Sequence, residues 1–259
     1  MIEIPPSDLP AALRAAFTMA EPAGLRCLGV LADVLRGRVL VDDAAEPTRS
    51  LLYETMYDTI YLSGTWTPAQ VAEEIRDLRR RGEVMIGLWP DDPRIALLPT
   101  NTDYIGTVYD FYDHPSATVL ASLSAKMPAH CELRPLESSV FDSLIERAML
   151  LKHYGDVDAA LSTIMGYCLF YEGQNVCEAV AGPLIDGIRE MGILTHKDYR
   201  RRGYATLTCA ALLQACERLG VQTFWNCNSS NLASVALARR LGYQRERAYT
   251  LYYWEPRQQ

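Results

Sequence analysis

One amphipathic stretch, residues 202–219, constrains the fold more than any other part of the sequence. Its apolar side chains follow one another at steps of four, three, four and three residues: Ala205, Cys209, Leu212, Cys216 and Leu219. This spacing places them on one face of an α-helix, and a glycine directly after them is a typical helix end. A β-rich run, residues 190–195, precedes the helix, and another, residues 221–226, follows it. The sequence therefore predicts a strand, a long helix and a second strand in succession.

The rest of the C-terminal half alternates between short β-rich runs and helical patterns. Strands are predicted at residues 131–135, 166–171, 175–181 and 247–254, and helices from about Ser139, from about Asp156 and over residues 231–241. Together with the strands and helix above, these elements give the order β-α-α-β-β-β-α-β-α-β.

The N-terminal half has a weaker pattern, with strands predicted at residues 39–42, 50–53, 59–62 and 84–89. Its clearest helix begins with Thr67, Pro68 and Gln70, which match an N-cap, a first helical position and a capping box. We place the domain boundary between residues 127 and 128. This gives an N-terminal α+β region over residues 1–127 and a second domain over residues 128–259, with no internal sequence repeat.

Composition argues against several classes of protein. The chain is 49% hydrophobic and 22% charged, as ordinary globular proteins are. No apolar run approaches the roughly 20 residues that span a bilayer, and the N-terminus lacks the features of a signal peptide, so we expect a cytoplasmic protein without a membrane partner. Seven cysteines form no Cys-x-x-Cys pair and four histidines are scattered, so we expect no metal site. A net charge of −7 argues against nucleic acid as a partner.

A basic turn containing a glycine lies between the strand at residues 190–195 and the long helix. It reads Thr-His-Lys-Asp-Tyr-Arg-Arg-Arg-Gly-Tyr-Ala over residues 195–205. Gly203 lets the backbone approach a ligand because it has no Cβ. The helix N-terminus supplies unpaired N–H groups and the positive end of the helix dipole, so the turn is a candidate phosphate site. The alternative interpretation is a solvated basic turn that opens an ordinary helix.

The spacing of Arg200, Gly203 and Ala205, Arg-x-x-Gly-x-Ala, resembles the coenzyme A pyrophosphate signature of the GNAT acetyltransferases. Residues 231–243, Asn-Leu-Ala-Ser-Val-Ala-Leu-Ala-Arg-Arg-Leu-Gly-Tyr, resemble the downstream block of the same family, and the order of elements matches from about residue 130 onward. Residues 190–195 and 225–231, with Ser234, are similar to the branch that includes the zwittermicin resistance proteins.

The resemblance implies an α/β protein whose C-terminal domain has the GNAT fold, a mixed, centrally splayed sheet flanked by helices. It implies an N-acetyltransferase that moves the acetyl group of acetyl-CoA directly to a primary amine, which we expect to belong to a small molecule. The backbone of Ile193, Leu194 and Thr195 would hold the pantetheine arm, and Asn231 and Ser234 would reach it from their helix. The pyrophosphate would lie on the turn and the helix start: Arg200, Arg201, Arg202, Gly203, Tyr204, Ala205 and Thr206.

Two positions depart from the family pattern. Many members have a tyrosine that protonates the leaving thiolate where this chain has Ala238, which on a helix shares a face with Asn231 and Ser234. Some members have a carboxylate base where this chain has Asn226. Ser234, water or a tyrosine among Tyr243, Tyr249, Tyr252 and Tyr253 could supply the missing proton.

For the base, the sequence offers Glu190, at the start of its strand, and Glu178, in the middle of another, besides His196 and water. A partly buried carboxylate beside the acceptor could have its pKa raised toward a useful range.

Three functions compete at this stage. Besides an active acetyltransferase, the chain could be a catalytically inactive GNAT-fold module that binds acyl-CoA or a protein, as Ala238 and Asn226 would suit. A nucleotide-dependent oxidoreductase is excluded because no Gly-x-Gly-x-x-Gly follows a strand. The N-terminal region is expected to complete the acceptor site, to form a homodimer interface, or both.

Overall fold

The computed structural model describes residues 1–124 and 127–257. The chain divides into two compact units. The first unit contains Met1–Asp110, Asn228–Ser230 and the C-terminal stretch from Ala248; the second contains Phe111–Cys227 and Asn231–Arg247. These units are groups of residues in contact, and the domain boundary between residues 127 and 128 stays a prediction.

The elements of the first unit are strands β1 to β5 and helices α1 to α3. In chain order they are β1 (Ile2–Ile4), α1 (Ala11–Arg14), α2 (Gly24–Leu31), β2 (Gly37–Val41), β3 (Arg49–Glu54), β4 (Thr59–Gly64), α3 (Pro68–Leu78) and β5 (Val84–Leu88). Three further strands have residues in both units: β6 (Tyr104–Tyr112), β11 (Gln222–Asn228) and β12 (Arg245–Trp254). Within the first unit β1 to β4 pair antiparallel in chain order, β4 and β5 pair parallel, and the last residues of β12 pair antiparallel with β5.

The sheet of the first unit is buried on both faces. Successive side chains of a strand point to opposite faces, so Val39 and Val41 of β2 pack with Leu13 of α1 and Val30 of α2. Leu40, between those two valines, belongs to the other apolar cluster, which contains the buried side chains of α3. Helix α3 begins as predicted, because Thr67 accepts from the backbone N–H of Gln70 and the Gln70 side chain accepts from the N–H of Thr67.

In the second unit the sheet has helices on both faces. The elements of this unit are α4 (Ala117–Ser124), β7 (Cys131–Pro135), α5 (Ser138–Phe141), α6 (Arg147–Tyr154), α7 (Val157–Thr163), β8 (Met165–Tyr171), β9 (Gln174–Ala181), β10 (Ile188–Thr195), α8 (Tyr204–Arg218), β11 (Gln222–Asn228) and α9 (Leu232–Leu241). Strands β7 to β10 pair antiparallel in chain order, and β10 pairs parallel with β11. The predicted α/β class with a mixed sheet is confirmed.

One predicted helix of the second unit is interrupted. The sequence predicted a single helix from about Ser139, whereas α5 ends at Phe141 and α6 begins at Arg147. Between them, the backbone N–H groups of Ile145 and Glu146 donate to the carboxylate of Glu178, at 2.7 and 2.9 Å. An acceptor 33 residues along the chain therefore competes with the helical hydrogen bonds that the local pattern favours.

Both units follow the same succession of elements, although the sequence has no internal repeat. Each begins with a strand and short helices, continues with three antiparallel strands, and then has a helix followed by a parallel strand. In the first unit the last part is β4, α3 and β5; in the second it is β10, α8 and β11. The repetition escaped the sequence because the same order of elements needs only similar hydrophobic periods, not similar residues.

Candidate active site

Strands β10 and β11 are parallel neighbours that separate after three paired positions. Ile188 pairs with Gln222, and the register ends at Glu190 and Phe224. Among the residues that the structure describes, no pairing between these strands continues beyond that point, although β10 runs on to Thr195. The predicted splay of the sheet is therefore present, and Glu190 lies at the position where the gap opens.

Backbone groups of β10 point alternately to its two neighbours. The carbonyl of Glu190 accepts from Gly182 at 2.9 Å, and the N–H of His196 donates to Val176 at 2.9 Å, so the even-numbered residues bond to β9. The odd-numbered residues turn toward β11, since successive peptide groups of a strand alternate in direction. Ile193 and Thr195 thus direct their N–H and C=O groups into the gap. The N–H and C=O groups of Leu194 point toward β9, so only its side chain is available to a ligand.

The two faces of β10 have different surroundings. Ile193 packs with Tyr204 and Leu207, which places the odd-numbered side chains on the face of the sheet covered by α8. Val180, which pairs with Gly192, packs with the cluster formed by α5, α6 and α7. Because paired residues share a face of the sheet, Glu190 lies on the face of helices α5 to α7.

The basic turn after β10 has the backbone shape of an anion site. Arg201 and Gly203 both have positive φ, at 63° and 82°, and Gly203 is the N-cap of α8. The first hydrogen bond of this helix runs from Leu207 to the carbonyl of Gly203, at 3.2 Å. The N–H groups of residues 204–206 therefore precede the helical ladder and point outward. Two left-handed residues next to a helix start form the type of concavity that binds phosphate.

The space around Gly203 is open. A Cβ built at this position would meet no atom within 4 Å. The left-handed backbone at this position favours glycine. The open space leaves room for a ligand at the N-terminus of α8.

Two of the three arginine side chains of the turn donate hydrogen bonds to its backbone. Arg200 donates from Nε to the carbonyl of Thr195 at 3.2 Å, and Arg202 donates from Nη2 to that of Asp198 at 3.2 Å. The Arg202 guanidinium also lies over the Tyr199 ring, 5.0 Å from its centroid. All three arginines are exposed, so they add positive charge where the backbone N–H groups converge.

Asn231 and Ser234 lie at the start of α9. Asn231 is the N-cap, since its Oδ1 accepts from the N–H of Ser234 at 3.2 Å. Ser234 Oγ in turn accepts from Nε1 of Trp225 at 3.1 Å. Asn231 is exposed and keeps its Nδ2 as a donor for a ligand, whereas Ser234 is tied to a strand of the gap.

Ala238 is fully buried, at 0% exposure. The helical spacing predicted that its methyl group would face the cofactor together with Asn231 and Ser234, but the helix packs this position into the protein. Tyr243, one of the tyrosines considered as an acid, is also buried, and its hydroxyl pairs with Thr223 Oγ1 at 2.7 Å. Burial raises the pKa of Tyr243 far above its usual range.

The two glutamates predicted as bases differ in their partners. Glu178 is 1% exposed, and both of its oxygens accept backbone N–H groups, with Asn175 Nδ2 adding a contact at 3.2 Å. Glu190 is half-buried at the opening of the gap. His196 lies in the loop after β10, with Nδ1 3.6 Å from Asp198.

A third carboxylate, Glu146, was missed by the sequence. Its pKa is raised, because burial penalises the charged form and because the negative charge of Glu178 adds to that penalty. Its N–H is held by Glu178, so it lies in the same interrupted segment between α5 and α6. The local pattern assigned residue 146 to a helix. Only the contact with Glu178, which is distant in the sequence, identifies Glu146 as a carboxylate with a raised pKa.

The first unit has a gap of the same type, but protein groups occupy it. Strands β4 and β5 pair at one position, Thr59 with Met85. The carbonyl of Leu62 in β4 accepts from Nη1 of Arg94 at 3.2 Å, and Arg94 is held by ion pairs with Glu21 and Asp92.

The helix after that gap is closed as well. Its N-terminus is capped by the side chains of Thr67 and Gln70, and Pro68 at its first position has no N–H. The second unit alone, among the described residues, therefore combines an open gap with an uncapped, glycine-led helix start.

Comparison with known proteins agrees with this arrangement. The family model described as GNAT acetyltransferase matches residues 21–252. The chain therefore belongs to the GNAT acetyltransferase family.

Individual relatives are more distant. The chain is 27% identical over 139 residues to the "Uncharacterized N-acetyltransferase YdfB" of Bacillus subtilis (strain 168), a match that covers 54% of this chain and 49% of that protein. The match thus spans about half the length of this curated relative. The narrower resemblance to the zwittermicin resistance branch stays a prediction.

Solved structures share the fold over nearly the whole chain. A GCN5-related N-acetyltransferase-like protein from Streptococcus suis 89/1591 has a TM-score of 0.71 at 20% identity, covering 93% of this chain and 96% of that one. A GCN5-related N-acetyltransferase from Sphaerobacter thermophilus has a TM-score of 0.62 at 14% identity, covering 99% and 95%. A tandem GNAT protein from the clavulanic acid biosynthesis pathway has a TM-score of 0.60 at 12% identity, covering 96% and 93%. In the described residues, no helix is both long and apolar enough to cross a membrane.

Proposed function

We propose that this chain transfers the acetyl group of acetyl-CoA directly to a primary amine of a small molecule. The observation that carries the proposal is the open gap between β10 and β11, which leads to the uncapped start of α8. An extended molecule with amide groups can bond to the backbone of Ile193 and Thr195 as an added strand would. Its phosphates would then lie at residues 200–206, where backbone N–H groups and arginines converge.

Acetyl-CoA would supply an activated acetyl thioester, and the chain's own groups would orient it and move protons. The N–H of Ile193 points into the gap and would donate to the carbonyl oxygen as negative charge develops on it. The amine nitrogen would bond to the acetyl carbon while the carbon–sulfur bond breaks. Holding both reactants in one site supplies much of the rate, and no covalent enzyme intermediate is needed.

Glu190 is the base that the geometry favours. It lies where the gap opens and on the face of α5 to α7, opposite the face of α8. An amine that approaches from that face would pass its proton to Glu190, and coenzyme A would take up a proton from Ser234 or water as it leaves.

Glu178 and Glu146 are the alternatives for the base. Glu178 has both oxygens occupied by N–H groups of residues 145 and 146, which supports a role in holding this segment. Glu146 has a raised pKa, which suits a general base at neutral pH. Its side chain is therefore the second candidate after Glu190.

A module that binds acyl-CoA without turnover is the competing function, and the buried Ala238 with Asn226 in place of a carboxylate favours it. The decisive measurement is thiol release from acetyl-CoA in the presence of a panel of small primary amines. We expect release that depends on one class of amine and that disappears in Gly203→Glu. Binding of acetyl-CoA without release above the uncatalysed rate for every amine would support the competing function.

Light scattering on the same protein tests the expected homodimer.

A further inference from the structure

The first unit contains a cavity of about 370 Å³ whose lining residues all belong to that unit. Four arginines line it, Arg76, Arg79, Arg80 and Arg257, and its apolar lining includes Ile75 and Trp254. Among the described residues, no carboxylate takes part in the lining. Cavities of a few hundred Å³ with an apolar wall and a few convergent polar groups are typical of small-molecule sites.

The arginines converge because of the period of α3. Residues 76, 79 and 80 are three and four positions apart, so their side chains leave the helix end on one side. Ile75 and Leu78 of the same helix are buried in the core with Trp254, which fixes the orientation of that side. The backbone N–H of Arg257 donates to the carbonyl of Arg79 at 3.0 Å and brings the fourth arginine to the cavity.

Arg79 is already fixed in place. Its side chain is 6% exposed, donates from Nε to the carbonyl of Glu255 at 2.7 Å, and pairs with Asp103 at 2.5 Å. Because its guanidinium is already held in one position, the Arg79 side chain would lose little further entropy when a ligand binds.

Arg76 and Arg80 are available to an anion. They are 64% and 53% exposed, and their pairs with Glu73 and Asp77 have nitrogen–oxygen distances of 3.5–3.9 Å, with Asp77 shared between them. Exposed pairs of this kind contribute little to stability, so an anion in the cavity can replace them.

Trp254 lies beneath the lining of the cavity. Its side chain is 0% exposed, and its Nε1 has no hydrogen-bond partner among the described residues. Because the ring has no accessible surface, a ligand in the cavity would contact the lining residues above Trp254 and would not reach its Nε1.

We propose that this cavity binds a small molecule with an oxyanion, a phosphate or a carboxylate, attached to an apolar or aromatic body. The arginines would take the oxyanion, since guanidinium groups match both anions bidentately. The apolar body would lie against Ala72 and Pro99, the partly exposed apolar residues of the lining. This second site is independent of the acetyl-CoA site proposed above, because every residue that carries it belongs to the first unit.

Calorimetry on the full chain tests the site with four probes: phenyl phosphate, benzoate, inorganic phosphate and neutral benzyl alcohol. We expect saturable binding of phenyl phosphate or benzoate, with the tighter of the two identifying the anion. Inorganic phosphate and benzyl alcohol should bind more weakly, since each lacks one half of the ligand. Equal binding of inorganic phosphate and phenyl phosphate would overturn the apolar half of the proposal, and saturation by none of the probes would overturn all of it.

A double variant, Arg76→Gln with Arg80→Gln, should weaken binding of the best probe by at least about tenfold, because it removes two guanidinium groups that would bond to the oxyanion. The matched control is Arg36→Gln, an exposed arginine of the same unit that does not line the cavity. Equal weakening in the control would show a general effect of charge and would contradict the site. The probe should also bind unchanged when coenzyme A is present in excess, and displacement by coenzyme A would contradict its independence.

Discussion

Glu178 and Glu190 lie on neighbouring strands of the same sheet, yet they have different surroundings. The register places Glu178 beneath the segment between α5 and α6, where backbone N–H groups surround its carboxylate. It places Glu190 at the last paired position of β10 and β11. The same type of side chain is therefore buried against backbone N–H groups in one case and half-buried at the end of the paired register in the other.

Replacing Glu190 by glutamine tests the proposed base. Free alkylamines have a pKa of about 10, so nearly all of the acceptor is protonated at neutral pH. We expect Glu190→Gln to lower turnover by about 10²–10⁴-fold, because a positioned base contributes that much. The defect should narrow as pH rises, since more of the acceptor then arrives unprotonated, and the affinity for acetyl-CoA should not change.

The matched control for this variant is Glu137→Gln, an exposed glutamate of the same unit. It should retain the turnover of the unaltered protein. Normal turnover in Glu190→Gln would move the role to Glu146 or water, and an equal loss of acetyl-CoA binding would make Glu190 a structural residue.

Glu178→Gln should act on stability before it acts on chemistry. Glutamine keeps one acceptor oxygen but turns an NH₂ group toward a backbone N–H, so one buried donor is left unsatisfied. We expect the free energy of unfolding to fall by about 1–3 kcal/mol, measured by urea unfolding. The control is Glu132→Gln, an exposed residue on β7, for which we expect a change within about 0.5 kcal/mol. Lost turnover with unchanged stability would instead identify Glu178 as the base.

At the scale of elements, helix α8 has a glycine with positive φ at each end, and only one of them belongs to the proposed site. Gly203 and Gly220 have φ of 82° and 68°, and a Cβ at either position would meet nothing within 4 Å. The two positions therefore impose the same steric conditions on a substitution.

This symmetry gives a test of the phosphate turn. Gly203→Glu and Gly220→Glu should each cost about 1–2 kcal/mol through left-handed strain. Only Gly203→Glu should abolish binding of acetyl-CoA, because it puts negative charge and bulk where the phosphates would lie. Calorimetry measures the affinity for acetyl-CoA, and thermal unfolding measures the loss of stability caused by the strain. Binding that survives in Gly203→Glu, or is lost equally in both variants, would contradict the assignment of this turn.

Helix α9 gives a second test, at the position where many family members have a tyrosine. Ala238 is fully buried, so Ala238→Tyr should destabilise the protein by at least about 1–3 kcal/mol through overpacking. Ala236 on the same helix is exposed, and Ala236→Tyr should stay within about 0.5 kcal/mol of the unaltered protein. If Ala238→Tyr kept its stability and gained turnover, residue 238 would face the cofactor after all.

At the scale of the whole molecule, one succession of elements occurs twice with different outcomes. In the second unit the helix after the splayed strand begins with an uncapped glycine. In the first unit the equivalent helix is closed by Thr67, Pro68 and Gln70, and Arg94 bonds to the strand carbonyl that faces the gap. The same arrangement of elements is therefore open to a ligand in one unit and filled by side chains in the other.

The stoichiometry of binding should reflect this difference. We expect calorimetry to give one equivalent of acetyl-CoA per chain, and Gly203→Glu should reduce it to none. Two equivalents in the unaltered protein, or one remaining equivalent in Gly203→Glu, would show that the first unit also binds the molecule.

Much of the second unit could be predicted because its signals are local. The stripe of Ala205, Cys209 and Leu212 predicted α8, Asp156 predicted the N-cap of α7, and the β-rich runs predicted β8, β9 and β10. The turn at Gly203 was predicted for the same reason, since a left-handed helix start is specified by neighbouring residues. Strands β1 and β6 and helices α1, α2 and α4 were missed, because their short apolar runs gave no clear period.

Sequence by itself determined the periods, the caps and the basic turn, and through them the family resemblance. Only the tertiary structure decided which residues of these elements meet. Long-range pairing fixed the end of the β10–β11 register at Glu190, burial removed Ala238 from the gap, and Glu178 interrupted a helix from 33 residues away. The cavity of four arginines also depends on the tertiary structure, because α3 and Arg257 are far apart in the chain. Backbone dihedrals respond to neighbouring residues, whereas burial and pairing depend on contacts between residues that the sequence separates.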